Sequence, residues 1–152
     1  MTTGTDEEDN AGEIFSFFNE IGIISQLSST LLARSLPQGV HPSHFSIVNH
    51  LCRMGDGKTP VSIASAMQVT KNTMTHSLRV LENRGFIRVV PNPADARGKL
   101  VYLTDDGRGF REASIQNVAD RFGHIFKPEH LNAMRRSKNE LELIRKHLDE
   151  NR

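Results

Sequence analysis

The chain has 152 residues, 37% of them hydrophobic, which suits one ordinary domain with a buried core. Nineteen Lys and Arg against eighteen Asp and Glu leave a net charge of +1, so any strongly charged surface has to be local. A single cysteine excludes an intramolecular disulfide, and the lack of a membrane-length apolar run or a secretory h-region leads us to expect a cytoplasmic protein without an anchor.

Residues 1–10, with Asp6-Glu7-Glu8-Asp9, read as a disordered acidic tail, and residues 11–152 as one domain. Ile14, Phe17, Phe18, Ile21, Ile24, Leu27, Leu31 and Leu32 then make a wide apolar stripe on a helix over 11–36, stopped by Pro37 and Gly39. A stripe this wide must be buried, and an elongated helical chain needs a partner to bury it. A second helix is expected from Pro42, carrying Phe45, Val48, Leu51 and Cys52 to the Gly55-Asp56-Gly57 turn. His41 and His44 are spaced i, i+3 at its start, which is half of a metal site with no Cys or carboxylate cluster beside it. Cys52 lies on the apolar side of the helix, where a free cysteine is ordinarily filler and a redox sensor is the exception.

Thr59-Pro60 supplies an N-cap with proline at the first helical position, followed by Ile63, Ala64 and Met67 at helical spacing. After Gln68-Val69, Thr70 can cap another helix whose Met74, Leu78 and Leu81 face inward and whose end is marked by Gly85 in a left-handed conformation. Two short helices with a tight turn form a helix-turn-helix. The outward face of the second helix carries Lys71, Asn72, Thr73, Thr75, His76 and Arg79, side chains suited to base edges and phosphates. The β-branched and aromatic runs Phe86–Val90 and Leu100–Leu103 read as two strands around a segment holding Pro91, Pro93, Asp95, Arg97, Gly98 and Lys99, a hairpin with a basic tip. Between Lys71 and Lys99 six bases face only Glu82 and Asp95, so this region is basic although the chain is not.

Thr104 caps a further helix with Asp105 and Asp106 in its first turn and Phe110, Ala113, Ile115, Val118, Phe122 and Phe126 on its apolar side. Pro128 opens the last helix, with Leu131, Met134, Leu141, Ile144 and Leu148 at similar spacing. The chain holds no phosphate-cradling glycine loop, no Gly-x-Ser-x-Gly elbow and no His-Glu-x-x-His pair, which argues against an enzyme and against a resident cofactor or metal.

The segment Asp95-x-Arg97-Gly98-Lys99-Leu100-Val101-x-Leu103-Thr104-x-x-Gly107, following a helix-turn-helix, resembles the wing motif of the MarR family of bacterial transcriptional regulators. The resemblance implies a mainly α, α+β fold: a winged helix-turn-helix reader over 41–104 and dimerisation helices over 11–36 and 105–150. It also implies a homodimer on a pseudo-palindromic double-stranded DNA operator. In that reading Thr70, Lys71, Asn72, Thr73, Thr75, His76 and Arg79 belong to the helix in the major groove, while Arg97 at the wing tip enters the minor groove and Asp95 orients it; Lys99 adds wing charge within reach of phosphates or a narrow minor groove. Members of the family often bind a small aromatic or phenolic effector, for which Phe17, Ile21, His44, Phe45 and Val48 are the candidate walls; the same side chains at helical spacing also suit a plain core. A metal- or redox-responsive regulator using His41, His44 or Cys52, and a winged helix that binds protein rather than DNA, are the alternatives.

Overall fold

The computed structural model describes the backbone of residues 4–151 and the side chains of residues 10–151. Six helices and one hairpin follow in order: α1 Gly4–Ala33, α2 Pro42–Met54, α3 Pro60–Ala66, α4 Lys71–Asn83, β1 Ile87–Asn92, β2 Asp95–Leu103, α5 Asp105–Phe122 and α6 Pro128–Glu150, with a 3-10 turn Gly123–Ile125 before α6. The chain divides into two compact units, Met1–Asn117 and Val118–Arg152, with the boundary inside α5. Among the described residues no helix is long and apolar enough to cross a membrane.

Some of these bounds differ from the sequence expectation: α5 ends at Phe122, so Phe126, expected on its apolar side, follows the 3-10 turn instead, and both ends of α1 are shifted. The backbone is helical from Gly4, inside the stretch read as a tail to residue 10, and α1 ends at Ala33 rather than near residue 36. After Ala33 the chain turns by a bond from the Ser35 amide to the Leu32 carbonyl at 2.8 Å, ahead of Pro37, which cannot continue a helix.

In the first unit the core is built by α2, α3, α4, the hairpin and the start of α5. Val48, Leu51, Ile63, Met74, Leu81, Ile87 and Val101 are fully enclosed, and Leu78, Leu103 and Phe110 nearly so. Met74, Leu78 and Leu81 are the inward positions that the spacing predicts. Thr70 caps α4 by accepting the Thr73 amide at 3.2 Å, and Thr59 caps α3 by accepting that of Ser62 at 3.2 Å. Both helices end in the same way: Phe86 and Gly85 bond back to Leu81 and Glu82 after α4, and Val69 and Gln68 bond back to Ala64 and Ser65 after α3. The left-handed residue is Gly85 in the first case and Gln68, at φ 55°, in the second. A side chain there costs backbone strain, which the short turn between α3 and α4 imposes.

The stripe on α1 stays open within the single chain. Ile14, Phe17, Phe18, Ile24 and Leu27 are exposed, as are Phe15 and Ile23 on other sides of the helix. The expected burial is therefore not reached by one copy alone. In the second unit, Leu131, Met134, Leu141 and Leu148 of α6 are likewise exposed. The charged side of α6 is laced by Arg145–Asp149 at 2.9 Å and Lys146–Glu142 at 3.2 Å, exposed pairs that contribute little to stability.

Candidate nucleic-acid interface

The hairpin is longer and more regular than its sequence suggests. β1 and β2 pair antiparallel from Ile87↔Leu103 to Pro91↔Lys99 and again at Asn92↔Asp95, so the turn is only Pro93-Ala94. Residues 96–98 are extra on β2, a bulge just behind that turn. Arg97 consequently lies in the bulge, and Lys99 in the ladder opposite Pro91; neither is on the turn, which corrects the placement of both at the tip. The reason is that Asn92 and Asp95 terminate the turn themselves: Asn92 Oδ1 accepts the Ala94 amide and Asp95 Oδ1 accepts the Arg97 amide, both at 3.0 Å. Asp95 thus fixes Arg97 through its backbone, and no ion pair joins the two side chains among the described residues. Gly98 completes the bulge, since a Cβ there would sit 2.9 Å from Asp95 Oδ2 and 3.2 Å from Asn92 Cβ.

The base of the hairpin is fastened by Lys58, which the sequence reading passes over, and by Asp56 and Gly57, which it reads only as a turn. Lys58 forms a β-bridge with Val101, and Gly57 donates to the Val101 carbonyl at 2.8 Å. Asp56 accepts the Leu103 amide at 3.1 Å and lies 3.5 Å from Arg108. Arg88 stands 5.1 Å from the centre of the Tyr102 ring across the strands, a cation–π contact on the outer face.

Between α4, the start of α3 and the wing lies a groove of about 640 Å³. Lys71, Thr75 and Arg79, one stripe of α4, line it from one side; Asp95, Arg97 and Lys99 line it from the other. Four cations thus face one concavity. Thr70, the N-cap of α4, and Asn72, Thr73 and His76 on the helix are exposed but do not line the groove. The three threonine hydroxyls are engaged locally: Thr73 Oγ1 bonds Thr70 Oγ1, and Thr75 Oγ1 donates to the Lys71 carbonyl, both at 2.9 Å. Glu82 and Asn92 also line the groove. The signal for Glu82 was its position three residues beyond Arg79, on the same helical stripe.

The five proposed effector residues do not form one lining of equal kind. Val48 is fully buried in the core, and Phe45 packs against that core with its ring 6.2 Å from Phe110, which stacks on Phe86 at 4.3 Å. Phe17 is exposed and Ile21 half-buried. His44 is only 4% exposed, and its Nδ1 accepts the His41 amide at 3.1 Å, an imidazole in the role that Glu or Gln plays in a capping box. Among the described residues no group of three or more His, Cys, Asp or Glu could hold a metal ion. Cys52 is half-buried against the core.

Burial, and after it the neighbouring His41, His76 and Arg84, hold His44 below its ordinary 6.5; burial, then Lys58 and Arg53, does the same for His50. The folded chain therefore binds fewer protons than the unfolded one. Their stabilising contribution is complete above about pH 6.5 and is lost as pH falls through the lower folded values. Melting temperatures should fall between pH 7.5 and pH 5.5. In His44→Gln, which keeps a capping acceptor but cannot titrate, the fall should be smaller. An equal fall in both chains would remove His44 from the account.

The architecture can now be compared with known proteins. A sequence profile described as the MarR family matches residues 38–98. The multiple antibiotic resistance protein MarR of Salmonella typhimurium is 31% identical over 105 residues, covering 68% of this chain and 72% of the relative. The chain belongs to the MarR family. A second relative, the transcriptional regulator HosA of Escherichia coli O111:H-, is 37% identical over 59 residues, 39% of this chain and 44% of that protein. Solved MarR family structures share the fold. A MarR regulator from Methanosarcina mazei superposes with a TM-score of 0.70 at 17% identity, covering 90% of this chain and 98% of that one. A mutant MarR of E. coli, crystallised with operator DNA, does so with 0.62 at 23%, covering 85% and 95%. The mainly helical winged helix-turn-helix fold expected from the motif is thus the fold found. This MarR family is one of transcriptional regulators rather than enzymes.

Proposed function

We propose that this chain is a sequence-specific regulator of transcription that binds double-stranded DNA as a homodimer, with α4 in the major groove and Arg97 of the wing in an adjacent minor groove. The observation that carries the reading is the groove in which Lys71, Thr75 and Arg79 face Arg97 and Lys99, a local cationic concavity on a nearly neutral chain. The E. coli relative crystallised with operator DNA lends support through its shared fold. Asn72, Thr73, Thr75 and His76 are assigned to base edges, Lys71, Arg79 and Lys99 to phosphates. Asp95 sets the bulge from which Arg97 projects. Homodimerisation would cover the apolar side chains that α1 leaves open and set two copies of α4 about one DNA turn apart on a pseudo-palindromic operator. The regulatory outcome that suits such a dimer is repression by occupancy, relieved by a small aromatic or phenolic effector. Phe17 and Ile21 are the two proposed wall residues whose side chains are not committed to the core.

Selection from random duplexes should return a two-fold related consensus. Against that operator, Arg97→Ala should lose about 1–3 kcal/mol of specific binding and less of non-specific binding, with the larger loss on A·T-rich flanks, where the minor groove is narrow. The melting temperature should not move, because Arg97 is exposed. Titrations with A·T and G·C flanks at two salt concentrations decide the point: equal losses on both would reduce Arg97 to a phosphate contact.

A further inference from the structure

The hydrogen bonding of Val89 shows how the wing is held against α4. Val101 directs its amide to the Lys58 carbonyl at 2.9 Å and takes the Gly57 amide on its own carbonyl, so its backbone polar groups point away from β1. Val89 pairs with Val101. In such a pair of an antiparallel ladder both residues turn their N–H groups outward, which leaves the Val89 amide on the free edge of β1. Glu82 of α4 accepts it, Oε1 to N at 3.0 Å. Glu82 and Val89 both line the groove, and Glu82 is on the same stripe of α4 as Lys71, Thr75 and Arg79. Among the described residues its carboxylate takes part in no ion pair, so the bond to β1 is the polar contact that orients it.

We propose that Glu82 is the positioning residue of the interface, fixing the wing edge to α4 and so setting the distance between the side chains that read the major groove and Arg97 in the minor groove. This rests on the DNA-binding reading above and deepens it. An acid in a phosphate-binding groove weakens attraction to every DNA alike. Its return is geometric: a wing held in one position fits the operator and does not adapt to other duplexes, so Glu82 lowers affinity while raising selectivity.

The two actions separate in two substitutions of the full chain. Glu82→Gln keeps an oxygen to accept the Val89 amide and removes the charge; Glu82→Ala removes both. Binding is measured by fluorescence anisotropy to the duplex selected by the wild type and to a scrambled duplex of equal length. Exchange of the Val89 amide is followed by NMR. For Glu82→Ala we expect the ratio of the two affinities to fall about tenfold, the scale of one hydrogen bond to a charged group, with faster Val89 exchange. Glu82→Gln should bind both duplexes more tightly, keep the ratio within about threefold and keep the amide protected. A wild-type ratio in Glu82→Ala overturns the proposal, and so does a loss in Glu82→Gln as large as in Glu82→Ala. If the wild type itself prefers no sequence, the DNA-binding reading falls and the selectivity role with it. The Val89 exchange rates then still report whether Glu82 holds the strand, so the two failures are told apart.

Discussion

Gly107→Ala is expected to lower the melting temperature by roughly 6–12 °C, from a loss of about 3 kcal/mol, the upper end of the usual range for overpacking in a chain of this length. Thr104 donates its hydroxyl to the Gly85 carbonyl at 2.5 Å and accepts the Gly107 amide at 3.0 Å, which presses the first turn of α5 onto the end of α4. A Cβ on Gly107 would then lie 2.0 Å from the Phe86 carbonyl oxygen and 2.9 Å from its carbon. The Phe86 carbonyl cannot yield easily, because it accepts the Thr104 amide at 3.2 Å. Gly109 is the control, on the same helix with nothing within 4 Å of a built Cβ. Gly109→Ala should be neutral or stabilising by about 0.5–1 kcal/mol. Thermal melts of the two variants check this, and equal melting temperatures would mean that α5 does not rest on Phe86.

The second large effect concerns α1. Ile24 and Leu27 are 61% and 62% exposed in the single chain, so glutamates there do not disturb the fold of one copy. They would, however, place charge in an apolar dimer interface. The double variant Ile24→Glu, Leu27→Glu should sediment as a monomer at micromolar concentration with its helical content intact. Its affinity for a two-half-site operator should fall by about 10²–10⁴, the advantage that linkage of two readers confers, while binding to non-specific DNA changes far less. A variant that still sediments as a dimer would show that α1 is not the interface.

Much of this was legible in the sequence because local chemistry decided it. Thr59-Pro60, Thr70 and Gly85 mark helix ends through capping bonds that need no distant partner, and Met74, Leu78 and Leu81 declare an inward face by spacing alone. The wing motif located the second half of the candidate interface. What sequence left out depends on residues far apart in the chain. Nothing in the identity of Gln68 marks it as left-handed; the turn between two packed helices requires it. The hairpin is longer than the sequence suggests because Pro91 reads as loop, whereas it sits in the ladder opposite Lys99; Pro93 is in the turn as its residue type implies. Asp56, Lys58 and Glu82 looked like ordinary surface polar residues, and only the fold brings them to strand backbone. The apolar stripe of α1 is legible as a pattern; which of its side chains one copy leaves exposed is seen only in the fold.

The fastening of the wing has a consequence for the order in which this chain folds. A hairpin with a two-residue turn is a local structure that closes fast by itself. Here its base is secured by Asp56, Gly57 and Lys58, which are separated from Val101 and Leu103 by the whole of α3, α4 and β1. Those bonds close a long loop, and their entropic cost is offset only once α3 and α4 have packed beneath. The wing is therefore expected to dock last, after the helices it rests on, and a nascent chain has to expose Leu103 before the reader becomes a single cooperative body.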